Sequence, residues 1–370
     1  NTIGVNNVAV GMQSMLYNTT GSNNTSVGLN SLLSNTIGKN NTAVGQQALV
    51  SNVVGNANSS FGYNALYSNT TNNNNAFGYK ALRNNTIGTN NNAFGNYGLT
   101  NNIDGIRNVA MGNLSLYTNT IGNNNTAVGY QALYANTSGN NNTAVGFQSL
   151  AANTFGKYNV AVGLSAGQLN TTGNCNSAFG YRALYNNTTN NNTAFGYKAG
   201  LAVTTGTNLT IIGYNAAASS ATATNEITLG NASIATLRCQ VTTITALSDF
   251  RDKTDINDIQ VGLSFVEKLR PVSFKWDKRE WYSDGNKDGS KKDNTLQVGF
   301  IAQELKSLQE ETGTEYLKLV YESNPDKLEA TPGNLMTPLI KAVQELSAIV
   351  KQQENRIEQL ETKILAFQNK

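Results

Sequence analysis

The chain has 370 residues, 26 Lys/Arg against 23 Asp/Glu, two Cys and no His. Without His there is no Ser-His-Asp triad and no His-ligated metal, so any nucleophilic chemistry must take its base from a Lys, a carboxylate or a terminal amine. Cys175 and Cys239 are too few and too far apart for a disulfide framework or a zinc site, and no apolar run is long enough to span a bilayer.

The charge is unevenly spread. Residues 1–247 carry eight Lys/Arg and only two acidic residues, Asp104 and Glu226, leaving eighteen and twenty-one for residues 248–370. The few basic residues of the first part are scattered, which argues against nucleic-acid binding. The chain starts inside a repeat without Met and is expected to be a piece of a longer protein.

That repeat is the dominant pattern. A Gly follows an apolar residue at Gly11, Gly28, Gly45, Gly62, Gly78, Gly95, Gly112, Gly129, Gly146, Gly163, Gly180, Gly196, Gly213 and Gly230, in steps of 17 with two of 16. Ala or Ser mostly sits two before this Gly, Leu four after it, and Asn seven after it from Asn18 to Asn187. A second Gly recurs ten after the first, as at Gly21, Gly38 and Gly122. It disappears in the two short steps, where N-T-T-N-N replaces N-T-x-G-x-N-N, and the expectation is that it serves a positive-φ turn.

Each T-A-V-G reads as a short strand, A-L as a second apolar contact, and the Asn/Gly/Thr segments as turns. One unit buries too little to fold alone, so units must stack. The Asn recurring from Asn18 to Asn187 predicts an inward Asn ladder. Fourteen coils at ~4.8 Å each make a rod of roughly 65 Å. Disorder, which the composition invites, does not hold an apolar phase through fourteen copies. The N-T-A-V-G-x-x-A-L unit resembles the head repeats of trimeric autotransporter adhesins, a parallel β-roll, and the repeats of viral fibre proteins. The resemblance implies a β-roll, with the longer unit leaving its handedness open.

The pattern decays after Gly196, and residues 231–247 read as a strand-rich neck. At Ser248 the composition changes. Residues 258–269 carry Ile259, Leu263, Val266 and Leu269 on one helical face, ended by Pro271. Val272–Trp276 and Gln297–Ile301 read as strands, and a helix starts at Ala302. The loop between the strands holds Asp284, Asn286 and Asp288 in a calcium-like spacing, but Thr295 stands where the bidentate Glu belongs, so a polar hairpin loop is expected rather than a metal site. From Leu335 a heptad seam runs through Leu339, Val343, Leu346, Val350, Gln353, Ile357, Leu360, Ile364 and Phe367, a coiled-coil pattern.

Four ordered motifs, L-S-D-F-R-D-K, L-R-P-V-S-F-K-W, V-G-F-I-A-Q-E-L and L-M-T-P-L-I-K-A-V-Q-E-L, resemble the endosialidase-type intramolecular chaperone domain of phage tail spikes and fibres, found also in some eukaryotic membrane-tethered transcription factors. The resemblance covers residues 248–370. It implies a homotrimer in which this domain assembles the preceding β-structure and then releases itself through a Ser-Lys dyad, Ser248 and Lys253. A Ser needs a base, and with no His an amine made less basic by burial or by nearby Arg251 is the natural one. The alternative is that Ser248 and Asp249 form only a cap or turn. The cleavage site is expected at Leu247, Ser248 and Asp249, at one of the bonds flanking Ser248, in cis or in trans.

The expected architecture is therefore a mainly β parallel β-roll or β-solenoid over 1–230, a neck over 231–247, a small α+β core over 248–334 and a coiled-coil helix over 335–370. The expected protein is a trimeric fibre or adhesin segment of a virion or a bacterial surface. It meets a host glycan or protein receptor through its repeats and needs no cofactor, metal, nucleic acid or membrane insertion. A second reading keeps the C-terminal domain as an uncut trimer clamp. A glycan-cleaving spike is disfavoured: paired carboxylates are needed, and Asp104 and Glu226 lie seven coils apart, roughly 30 Å or more along the rod.

Overall fold

The computed structural model describes residues 2–234, 236–238 and 248–368. The chain divides into two compact units, Asn1–Arg238 and Cys239–Lys370.

The first unit is a parallel β-solenoid. Fourteen strands, β1 (Val8–Val10) to β14 (Thr224–Leu229), form one sheet in strict chain order. Each strand pairs in parallel with the next at a shift of one repeat, as Thr126↔Thr143, Ala127↔Ala144 and Val128↔Val145. The central residue of the strand points inward and is small because the coil is narrow: Ala127, Ala144 and Ala161 are fully buried. The Leu four after the ladder Gly fills the other side, with Leu116, Leu133 and Leu150 buried in the same cluster. Each such Leu contributes about 1.5–3 kcal/mol of transfer free energy.

The A-L segment is not a β-strand but pairs between coils all the same. Gln131 and Leu133 both take left-handed backbone, φ 54° and 51°. The N–H of Leu133 reaches the Ser149 carbonyl at 3.0 Å, while that of Gln131 reaches back to Asn113 at 3.1 Å. A left-handed Leu is sterically costly, and its complete burial offsets the cost.

The inward Asn ladder is present. Asn119 Nδ2 donates to Asn102 Oδ1 at 2.7 Å and to the Gly122 carbonyl at 3.1 Å, and the coils on either side repeat this. A second ladder, not foreseen in the sequence, runs four residues before each first Gly. Asn125 Oδ1 accepts from the Asn142 N–H at 3.0 Å, and Asn125 Nδ2 donates to the Gly139 carbonyl at 2.8 Å. In the last coils Val203 and Leu209 take the two ladder positions, both buried, and the Leu209 N–H closes the second ladder on Asn192 Oδ1.

The two glycines have reversed roles from those expected of the second. The first carries the positive φ, 130° at Gly129, and a Cβ there would lie 2.5 Å from the Gly146 carbonyl oxygen. The second has no left-handed backbone; a Cβ at Gly122 would lie 2.3 Å from Asn119 Oδ1. It is Gly to leave room for the Asn ladder.

In the second unit, β15 (Val272–Phe274) and β16 (Gln297–Gly299) form the expected antiparallel pair. The loop between them is held by carboxylates in local turns: Asp284 accepts from the Asn286 N–H, Asp288 from Ser290 and Asp293 from Thr295. Helix α2 spans Ala302–Thr312 and the long helix α3 Met336–Gln368. The helix expected over 258–269 is only a single turn, α1 (Leu263–Val266). Gly262 breaks the run, and Val261 and Phe265 rather than a continuous face enter the core, with Leu305, Leu308, Leu319 and Leu335. A short pair, β17 (Val320–Tyr321) and β18 (Glu329–Ala330), completes the unit. Most of the neck expected over 231–247 lies outside the described residues.

Candidate functional site

The charged unit opens with a tight turn that determines where its first side chains go. Phe250–Asp252 is a single 3₁₀ turn capped by Asp249, whose Oδ1 accepts the Arg251 N–H at 2.9 Å. Lys253 ends the turn in extended backbone, its N–H on the Phe250 carbonyl. One compact turn between positions 248 and 253 brings their side chains back together, and Lys253 Nζ lies 2.5 Å from Ser248 Oγ.

The charges beside this pair are already engaged. Arg251 binds Asp249 through Nε at 3.0 Å and through its terminal nitrogen at 2.6 Å. This side-chain pairing, then the Arg251 backbone N–H, holds the Asp249 carboxyl below the ordinary carboxylate range. Asp249 thus caps the turn and pairs with Arg251; it is not bonded to Ser248 or Lys253. Lys253 is exposed, and Arg251 is paired with Asp249. Phe250, between Ser248 and Lys253 in sequence, is 77% exposed. Leu247 lies outside the described residues, so the bond on its side has no geometry here.

The rest of the unit holds polar contacts that sequence reading missed. Glu345 on α3 accepts the Leu263 N–H at 2.7 Å, capping α1 from 82 residues away. Buried Gln309 donates to the Thr314 carbonyl at 3.0 Å and accepts from the Leu319 N–H at 3.2 Å. Arg270 pairs with Glu304, which lowers the Glu304 carboxyl. No three His, Cys, Asp or Glu side chains converge as metal ligands among the described residues. No helix among the described residues is long and apolar enough to cross a membrane.

Residues 248–314 match the family model described as chaperone of endosialidase. The match starts at Ser248 and runs through α2 to Thr314. No curated protein and no solved structure is matched by the chain. A region matching the chaperone of endosialidase thus follows a β-solenoid in the chain, a combination that fits a tail fibre or spike, and the match supports an intramolecular chaperone role for the second unit.

Proposed function

We propose that this chain is part of a trimeric fibre or spike whose C-terminal domain gathers three copies, sets their register and then cuts itself away beside Ser248. The observation that carries this reading is the 2.5 Å contact of Lys253 Nζ with Ser248 Oγ, at the first residue of the family match and in a chain without His.

In its neutral form Lys253 takes the Ser248 hydroxyl proton as Oγ bonds to a carbonyl carbon flanking it. The C–N bond breaks, the departing nitrogen takes a proton from Lys253, and water hydrolyses the resulting ester. Attack on the Leu247 carbonyl passes through a five-membered ring. Attack by the Ser of a neighbouring copy is the alternative.

Assembly is the natural trigger. In one chain Ser248 and Lys253 are both exposed. Packing of other copies over the exposed Phe250 would bury Lys253 and favour its neutral form. The α3 seam supports assembly too: Leu346, Val350, Ile357 and Ile364 are about half exposed in the single chain. A chaperone that binds three chains raises their effective concentration, which a solenoid with long-range pairing needs. Its removal then leaves the fibre kinetically trapped.

The same exposure of Lys253 favours a second reading, an uncut chain in which the domain stays as a permanent clamp. Expression of the full chain separates the two. Cleavage gives two bands that Ser248→Ala collapses into one, and sedimentation reports three copies. A wild-type trimer that stays whole establishes the clamp instead. Receptor binding through the repeats, to a glycan or protein on a host surface, belongs to this proposal and would be read by cell binding of the repeat region.

A further inference from the structure

The solenoid has an outward side that its own coils leave open among the described residues. The last residue of each strand, from Val10 to Leu229, faces out and is apolar in all fourteen coils. Many are well exposed: Phe94 by 40%, Met111 by 45% and Phe195 by 59%. A second column, just past each ladder Gly, adds Tyr63, Tyr79, Tyr130, Phe147, Leu164 and Tyr197, interrupted by Gln46, Asn96, Asn113 and Asn231. No charged residue occupies either column.

Stacking makes this surface regular as well as apolar. The rings of Phe61, Phe77 and Phe94 lie 4.6 and 4.7 Å apart, with planes within 9° and 5° of parallel. Tyr63 and Tyr79 stack alongside at 5.4 Å, and Tyr130 stacks with Phe147 at 5.3 Å. The stripe therefore repeats with the coil.

We propose that this stripe is where copies of this chain meet along the repeat region. The inference rests on the trimer reading and adds to it the surface by which the solenoids themselves touch. Three arguments choose the occupant. A stripe about 65 Å long and about 10 Å wide covers roughly 650 Å² per copy, close to the ~800 Å² per partner of a stable interface and above what a monomer ordinarily leaves open. A surface that repeats every coil for fourteen coils is matched along its length only by a partner with the same repeat, which another copy supplies in register. The strand-end column carries no charged residue, and the cations beside the second column, Lys80 and Lys198, lie over its own Tyr79 and Tyr197 rings, so the strand-end column is the part on which identical stripes approach without repulsion.

Disulfide trapping in the full chain tests this. Cys175→Ser and Cys239→Ser clear the background. Val145→Cys or Val27→Cys then places one thiol on the stripe, at a side chain of similar size, and Ile121→Cys places one on an exposed position outside both columns. Each variant is checked for fold by circular dichroism, sedimented, and oxidised. The expected result is a trimer by sedimentation with a covalent dimer band for both stripe variants and not for Ile121→Cys, because two of three thiols meeting around an axis can pair. A sedimenting trimer with no band at either stripe position, or with an equal band at Ile121, overturns the stripe and leaves the trimer standing. A sedimenting monomer removes both.

Discussion

Lys253 Nζ reaches Ser248 Oγ at 2.5 Å while Arg251, between them in sequence, is turned to Asp249. The amine therefore has Ser248 as its hydrogen-bond partner and no carboxylate competing for it. On the proposed mechanism this amine is the base that sets the rate of self-cleavage. Lys253→Ala should slow it by about 10²–10⁴-fold, and Lys253→Arg by a similar factor, because a guanidinium stays protonated. Band formation followed in time measures this; an unchanged rate in both variants would remove Lys253 as the base.

Asp249 offers a separate reading of the same turn. Its folded carboxyl is depressed by Arg251, first by the side chain and then by the backbone N–H. A depressed carboxyl contributes in full above its unfolded value and loses its contribution as pH falls through the folded one. The Arg251 Nε–H resonance should therefore be unchanged from neutral pH through the ordinary Asp range and move only below it. An Asp249 titration at or above the ordinary value would mean that the pair does not form.

Within the solenoid, Asn119 is a strong point of test. Its Nδ2 donates to Asn102 Oδ1 and to the Gly122 carbonyl, and its Oδ1 accepts from Asn136. Asn119→Ala strands buried partners and should cost about 1–3 kcal/mol. Gly122→Ala should destabilise through the same ladder, since its methyl would meet Asn119 Oδ1. If so, the double variant costs somewhat less than the sum, because the first change removes one of the contacts the methyl would make, while the Gly139 carbonyl oxygen at 2.5 Å and Asn136 Nδ2 at 2.7 Å remain. Guanidinium unfolding of the three variants decides; strict additivity would mean that Gly122 acts independently of the ladder.

What the sequence revealed follows from what spacing can carry. The 17-residue phase marked Leu133 as an apolar contact and Asn119 as a rung of an inward ladder, because each stands alone in its column; it did not say which of Ala127 and Val128 points inward, and the structure buries Ala127. The second ladder was hidden because Asn125 sits in the run Asn123–Asn125, where three identical residues give no sign of which one points inward. The helix read over 258–269 failed because its apolar spacing was locally helical while its actual start depends on Gly262 and on Glu345, 82 residues on. The pairing of Ser248 with Lys253 came from a family resemblance, since a five-residue separation identifies no dyad by itself.

Glu345 couples the long helix to the core. Its Oε2 accepts the Leu263 N–H at 2.7 Å, a donor at the start of α1 that lacks a side-chain cap of its own. Glu345→Ala should cost about 1 kcal/mol in unfolding of the C-terminal unit. Glu345→Gln, which keeps an acceptor oxygen, should recover most of it. Equal losses in the two variants would assign the effect to charge, for which the exposed Lys341 partner at 3.9 Å is a weak source.

The 16-residue coil around Asn69 supplies a last test, in which the chain should become more stable. Here the ladder breaks: Asn69 Nδ2 turns to the Thr71 carbonyl at 3.0 Å instead of reaching Asn52, and Asn52 Oδ1 is buried without a partner. The cause is length. Asn52 is six residues from Asn58, its neighbour on the second ladder, but Asn69 is only five from Asn74, and the spacer Gly is the residue lost. Inserting one Gly between Thr71 and Asn72 restores the spacing of the regular coil. It should let Asn69 donate to Asn52, a gain of about 1 kcal/mol or more for satisfying a buried acceptor, offset in part by losing the Thr71 hydroxyl bond to the Gly88 carbonyl at 2.6 Å. Thermal unfolding of the inserted and parent chains, both carrying Ser248→Ala, compares them without interference from cleavage. A lower midpoint for the inserted chain would show that the hydroxyl bond outweighs the broken rung and that the short coil is the more stable form.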